Sequence, residues 1–317
     1  MFSRRRPNLS GISEGLLWPL YNRAAHARQP DLSFDDPKSV ALVESIDYPF
    51  ERHFGRPNAV EFARTLAVDR LLVRWLVTHP RGTVVSLCEG LETRFWRVDN
   101  GSVRWLSLDG SAAIDTRARL LPSEARHRNL RCSPVDPGWR DEVDPRGGVF
   151  VDIGASCGRL EPFAVRRLLV SIAQRFPHAQ LVLDVMPRVR TQDRRRPVVR
   201  GPMPLVPWGL DRHELEEICT WHPNLGMLHE VELVDAGGWM SSLWKIGGRR
   251  WSGRSDGCRP ALVQVQCEPR LRTELAALSP GSSRLDADPQ PVRGLRKSSR
   301  SGEPGSSWSS GSWAPSR

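Results

Sequence analysis

The stretch SLCEGLETRFWRVDNGSVRWLSLDG, residues 86–110, holds a glycine and a carboxylate at a spacing that can do chemistry. Gly90 follows an apolar run that reads as a strand, and Asp109 ends the next such run. Glycine has no Cβ, so the backbone there can approach a ligand closely. A carboxylate at the end of the second strand can accept hydrogen bonds from both hydroxyls of a ribose. The two together make a nucleoside-binding layout. The chain contains neither GxGxxG nor GxxxxGK[ST], the glycine-rich devices that cradle phosphates. A ligand with a ribose and no phosphate therefore fits best, and S-adenosylmethionine is the commonest such cofactor.

The elements that must position these residues follow from apolar period. In NAVEFARTLAVDRLLVRWLVTHP, Ala63, Ala67, Leu71 and Trp75 recur every four residues beside Leu66 and Leu76, which predicts a core-packing helix stopped by Pro80. From residue 83 short apolar runs take over: TVVSLC, VRWLSLD, NLRCS, GVFVDIG and QLVLDVM. Between the last two lies PFAVRRLLVSIAQRFP, a helix by period with Val165, Leu168, Leu169 and Ile172 on one face. Strands alternating with helices predict a largely parallel sheet covered on both sides, and ligands of such sheets lie beyond the strands' carboxyl ends. The expected organisation is a helical cap over residues 1–80, an α/β domain over 81–250, and a disordered tail over 251–317 whose Ser, Gly and Arg cannot offset the entropy of ordering. Residues 188–200, RVRTQDRRRPVVR, read as a surface loop, and no clear antiparallel strand pair is expected beyond about residue 215.

Composition narrows the function classes. No apolar run approaches the roughly 18 residues of a membrane span, and the basic N-terminus lacks the apolar stretch of a signal peptide, so a cytoplasmic location is the default expectation. Six scattered cysteines include no CxxC pair, which argues against a metal framework and for reduced thiols. The net charge of +10 permits nucleic-acid attraction, but only three of the 46 basic residues are lysines, a bias that a GC-rich coding sequence also produces. Charge alone is weak support for a nucleic-acid partner.

Beyond these physical readings, VVSLCEGLETRFWRVDNGSVRWLSLD resembles the motif region of the leucine carboxyl methyltransferase superfamily, in particular the bacterial S-adenosylmethionine-dependent O-methyltransferases associated with polyketide biosynthesis. LLWPLYNRAAHARQPDLSFDDPKSVALVESIDYPF, EFARTLAVDR, RLLPSEARHRNLRCSPVDPGW, GVFV and LEPFAVRRLLVSIAQRFPHAQLVLDVMPR agree with it in the same order, so the resemblance spans roughly residues 12–215. It implies a Rossmann-like class I methyltransferase sheet, S-adenosylmethionine as cofactor and a small-molecule acceptor. It also implies site roles. Arg64 would face the methionine carboxylate, Gly90 and the backbone of Glu89 would line the methionine part, and Asp109 would hold the ribose. Ser133, Val135 and Asp136 would lie beside the adenine; Asp136 reads equally well as a capping aspartate. No metal and no catalytic base are implied.

Two departures stand against this agreement. Cys88 occupies the position where the family places the first-loop glycine, which would weaken cofactor binding, and Asp152 to Arg159 replace an apolar segment lining the methyl-transfer site. They keep open a methyltransferase-like chain that has lost catalysis. An arginine-rich nucleic-acid-binding protein is the third reading, opposed by the irregular placing of Trp308 and Trp313 among the tail's basic residues.

Overall fold

A computed structural model of the chain describes residues 15–29, 34–154, 158–188, 207–231, 233 and 261–268. The chain divides into two units, Met1–Leu271 and Arg272–Arg317. The second, with the tail expected there, lies outside the described residues, as do residues 189–200 of the expected surface loop.

In chain order the first unit runs α1 (Leu17–Ala27), α2 (Pro37–Ser45), α3 (Phe50–Phe54), α4 (Ala59–Thr78), β1 (Thr83–Leu87), α5 (Arg94–Val98), β2 (Arg104–Asp109), α6 (Ser111–Leu120), β3 (His127–Arg131), β4 (Val149–Gly154), α7 (Pro162–Arg175), β5 (Gln180–Val185), α8 (Glu217–Thr220), β6 (Leu225–Glu230) and β7 (Ala261–Cys267). The seven strands form one sheet in the order β3-β2-β1-β4-β5-β7-β6. The first five are mutually parallel, and β7 pairs antiparallel with both β5 and β6. This is a doubly wound, Rossmann-like α/β sheet. Strand order, though not strand direction, reverses between β1 and β4, and in sheets of this kind the ligand crevice lies beyond the carboxyl ends at that point.

Strand alternation divides the core in two. Val149, Val151 and Ile153 of β4 and Leu181, Leu183 and Val185 of β5 face α7, where Val165, Leu168, Leu169 and Ile172 are fully buried, as their spacing predicts. Burying each of these four stabilises the fold by about 1.5–3 kcal/mol. Phe150 and Val182 face the other way, against Leu72, Trp75 and Leu76 of α4. Asn58 begins α4 by accepting from the Val60 and Glu61 amides, and the helix ends two residues before Pro80.

The C-terminal edge departs from expectation. β6 and β7 form the antiparallel pair that seemed missing, and Ala261–Cys267 lies within the stretch assigned to the tail. Ala261, Leu262 and Val263 are buried in succession, and from Val263 the strand alternates, with Val265 and Cys267 fully buried between Gln264 and Gln266. The surrounding Gly, Ser and Arg hide so short a run from any reading based on composition, so the boundary at residue 250 falls too early.

Candidate active site

The crevice rim starts with the turn after β1. Cys88 has φ +52°, the only positive value among described residues other than glycine, and Gly90 follows at +56°. The left-handed conformation costs an L-residue about 1–2 kcal/mol, so the position where the resemblance calls for glycine is one that suits glycine. Cys88→Gly should stabilise the protein by about 1 kcal/mol, after allowing for glycine's greater chain entropy. Paired urea titrations check this, and an unchanged midpoint would contradict it.

Asp109, half-buried at the end of β2, holds this turn. Its Oδ2 accepts from the Gly90 amide at 2.9 Å and its Oδ1 from the Gly110 amide at 2.7 Å, while its carbonyl accepts from the Cys132 amide at 3.1 Å. Gly90, Asp109 and the start of the loop after β3 thus meet at neighbouring strand ends. In that loop Ser133, Val135 and Asp136 are exposed, and buried Trp139 anchors it by donating from Nε1 to the Pro134 carbonyl at 3.1 Å. Asp136 Oδ1 accepts from the Gly138 amide at 2.9 Å, an Asx-type turn; the helical turn that follows begins at Pro137 without a side-chain cap.

Glu89 contributes differently from its neighbours. Its side chain leaves the rim for the layer beside the sheet, where Oε1 accepts from Trp105 Nε1 at 3.1 Å and Oε2 lies 3.6 Å from Arg117 Nη2. Burial pushes this carboxyl up, against the opposing effect of Arg117. His127 is buried in the same cluster, bonded to Ser107 Oγ at 2.6 Å; desolvation first, and the Arg117 charge second, push its pKa down to about 3. The folded value lies below the unfolded 6.5. The stability this group contributes is therefore complete above about pH 6.5 and falls by about 1.4 kcal/mol per unit as pH drops toward 3. The His127 ring should stay neutral at pH 5 in an NMR titration, and a midpoint near 6.5 would contradict this.

Arg64, on α4, has its Nη2 2.9 Å from Asp184 Oδ1 on β5. The pair is close without being aligned for a hydrogen bond: Arg64 Nε and Nη2 and Asp184 Oδ1 are buried and lack hydrogen-bond partners. Burial pushes Asp184 up and Glu61, one turn before Arg64, up to about 7; the Arg64 charge partly offsets both. Asp152 on β4 is buried and pushed up to about 6 by desolvation, although Arg94 pairs with it directly. Arg94 also binds Asp69 at 2.6 Å, and Arg97 binds Asp69 at 2.7 Å, Asp36 at 2.8 Å and Glu92 at 2.9 Å. Burial opposes ionisation of Glu92, yet Arg23, Arg97 and Arg94 together hold its carboxyl well below the usual range.

This ion-pair network escaped the sequence reading, although Asp152 and Asp184 inside otherwise apolar strands were a signal for it, since buried carboxylates require partners. It also agrees with the weak weight given to net charge, because Arg23, Arg94, Arg97 and Arg117 are paired inside the fold rather than offered to a polyanion. Residues 155–157 of the departing segment lie outside the described residues. Exposed His213 sits on a short 3-10 turn, Arg212–Glu214, as an external helical residue would. No described helix is long and apolar enough to cross a membrane.

No family model matches the chain. It is 32% identical over 138 residues to the tetracenomycin polyketide synthesis O-methyltransferase TcmP of Streptomyces glaucescens, a match covering 43% of this chain and 51% of that protein. The match thus spans about half the length of the curated relative. Among solved structures, a putative methyltransferase from Thermobifida fusca YX is similar at 15% identity and a TM-score of 0.46, over 80% of this chain and 98% of its own. A SAM-dependent methyltransferase from Anabaena variabilis ATCC 29413 is similar at 11% identity and a TM-score of 0.42, over 84% of this chain and 99% of its own.

Proposed function

We propose that the chain binds S-adenosylmethionine in the crevice beyond β1 and β2 and transfers its methyl group to an oxygen of a small molecule, in the polyketide-type class suggested by the relative's name. One observation carries this reading: Asp109, at the end of β2, holds the left-handed turn at Gly90 beside the point where strand order reverses. The unsatisfied donors of Arg64 fit the cofactor's carboxylate, an anion with the geometry a guanidinium prefers. Asp109 would take the ribose hydroxyls, the backbone at Glu89 and Gly90 would line the methionine part, and Ser133, Val135 and Asp136 would flank the adenine.

When bound, the cofactor supplies a sulfonium methyl already activated for displacement. The chain's contribution is alignment and the exclusion of water. A carboxylate acceptor needs no base, whereas a hydroxyl must lose its proton.

A second reading, a methyltransferase-like chain without catalysis, is favoured by the Asp152 carboxylate where the resemblance calls for an apolar lining. Calorimetric titration with S-adenosylmethionine and S-adenosylhomocysteine separates the two. Micromolar binding, about −8 kcal/mol, is expected; a folded chain that binds neither would overturn the cofactor reading and leave the second.

A further inference from the structure

Arg117 projects from α6 and is fully buried. Its Nη1 donates to the Gly90 carbonyl at 2.7 Å and to the Glu92 carbonyl at 3.0 Å, and its Nε to Asn129 Oδ1 at 3.2 Å. From the other flank, buried Arg23 of α1 donates from Nη2 to the Leu91 carbonyl at 2.7 Å. Three successive carbonyls of the turn after β1 are thus held by guanidiniums from two helices. A turn with two left-handed residues, Cys88 and Gly90, does not hold itself in place.

The peptide unit is planar and trans, so a carbonyl fixed in one direction sends the next amide in the opposite one. Arg117 grips the Gly90 carbonyl and thereby turns the Leu91 amide away from itself. The Glu92 amide, one residue on, closes the turn onto the Glu89 carbonyl at 3.1 Å. The Leu91 amide makes no hydrogen bond among the described residues, although Leu91 is only 2% exposed. Buried amides are almost always paired, which singles out the Leu91 amide as a donor with its bonding capacity unused among the described residues.

We infer that Arg117 is a positioning residue that orients the Gly90–Leu91 peptide, so that the Leu91 amide donates to an anionic group of the bound cofactor. This rests on the cofactor reading proposed above. Arg117 reaches no reacting atom; it acts through the turn.

The test uses the full chain with Arg117→Met paired with Glu89→Gln, which avoids stranding a buried carboxylate, and Glu89→Gln alone as the control. Amide hydrogen exchange by NMR without ligand should be at least about tenfold faster at Gly90 and Glu92 in the pair, with Leu181 to Leu183 of β5 unchanged. S-adenosylhomocysteine affinity should fall at least about tenfold, and the Leu91 amide resonance, shifted by the ligand in the control, should no longer move. Unchanged exchange at the turn overturns the inference whatever happens to binding. Faster exchange with full affinity overturns the positioning role. A wild-type chain that does not bind S-adenosylhomocysteine defeats the cofactor reading and with it the ligand role of the Leu91 amide, while exchange at Gly90 and Glu92 still decides whether Arg117 holds the turn.

Discussion

Asp109→Ala should weaken S-adenosylhomocysteine binding by more than about 100-fold. On the proposed cofactor reading, the substitution would remove two charge-assisted hydrogen bonds to ribose hydroxyls, each contributing about 1.5–3 kcal/mol. It also releases the Gly90 and Gly110 amides, which both donate to this carboxylate, so the turn that lines the crevice loses its anchor at the same time. Asp109→Asn keeps one acceptor oxygen and the side-chain shape but loses the charge, and should fall between the two, near about tenfold. The ordering wild type, Asn, Ala in calorimetric affinity is the expected result. An alanine variant within about threefold of wild type would remove Asp109 from the binding site.

The second large effect concerns stability. Arg94→Met should cost about 3–5 kcal/mol, because it strands buried carboxylates, out of the roughly 5–15 kcal/mol by which a folded chain exceeds its unfolded state. The three acidic partners of Arg94 are not equally exposed to its loss. Asp69 and Glu92 keep Arg97, at 2.7 and 2.9 Å, whereas Asp152 has no other ion-pair partner among the described residues. The damage therefore concentrates on Asp152. Adding Asp152→Asn should recover at least about half of the loss, since an amide buried there has no charge to solvate. Urea unfolding of the four members of this cycle measures the coupling directly. An Arg94→Met variant within about 0.5 kcal/mol of wild type would contradict the network's role in the fold.

Those two residues mark where local pattern carried the fold and where it stopped. α4 and α7 were readable because their apolar positions recur at helical spacing, and the same residues, Leu71 and Trp75 or Val165 and Ile172, are the ones buried. The place of Asp109 at the end of β2 was readable because it closes an apolar run of strand length. Arg94 was not, since a local pattern cannot say that residues 58 positions apart will share one buried site. β7 failed for another reason. Seven residues inside a stretch poor in apolar side chains gain their strand character from pairing with β5 and β6, a tertiary effect that overrides local composition. Cys88 lay between these cases: its position was flagged by resemblance, while its left-handed backbone was visible only in the structure.

The account rests on the crevice beyond β1 and β2 being a cofactor site, and a crystal structure of the chain grown with S-adenosylhomocysteine tests it most directly. The expected density places the ribose hydroxyls on Asp109, the carboxylate on Arg64 and the Leu91 amide, and the adenine against the loop containing Ser133, Val135 and Asp136. Ligand density elsewhere on the molecule, or an empty crevice at saturating ligand with Asp109 still bonded to the Gly90 and Gly110 amides, would contradict it.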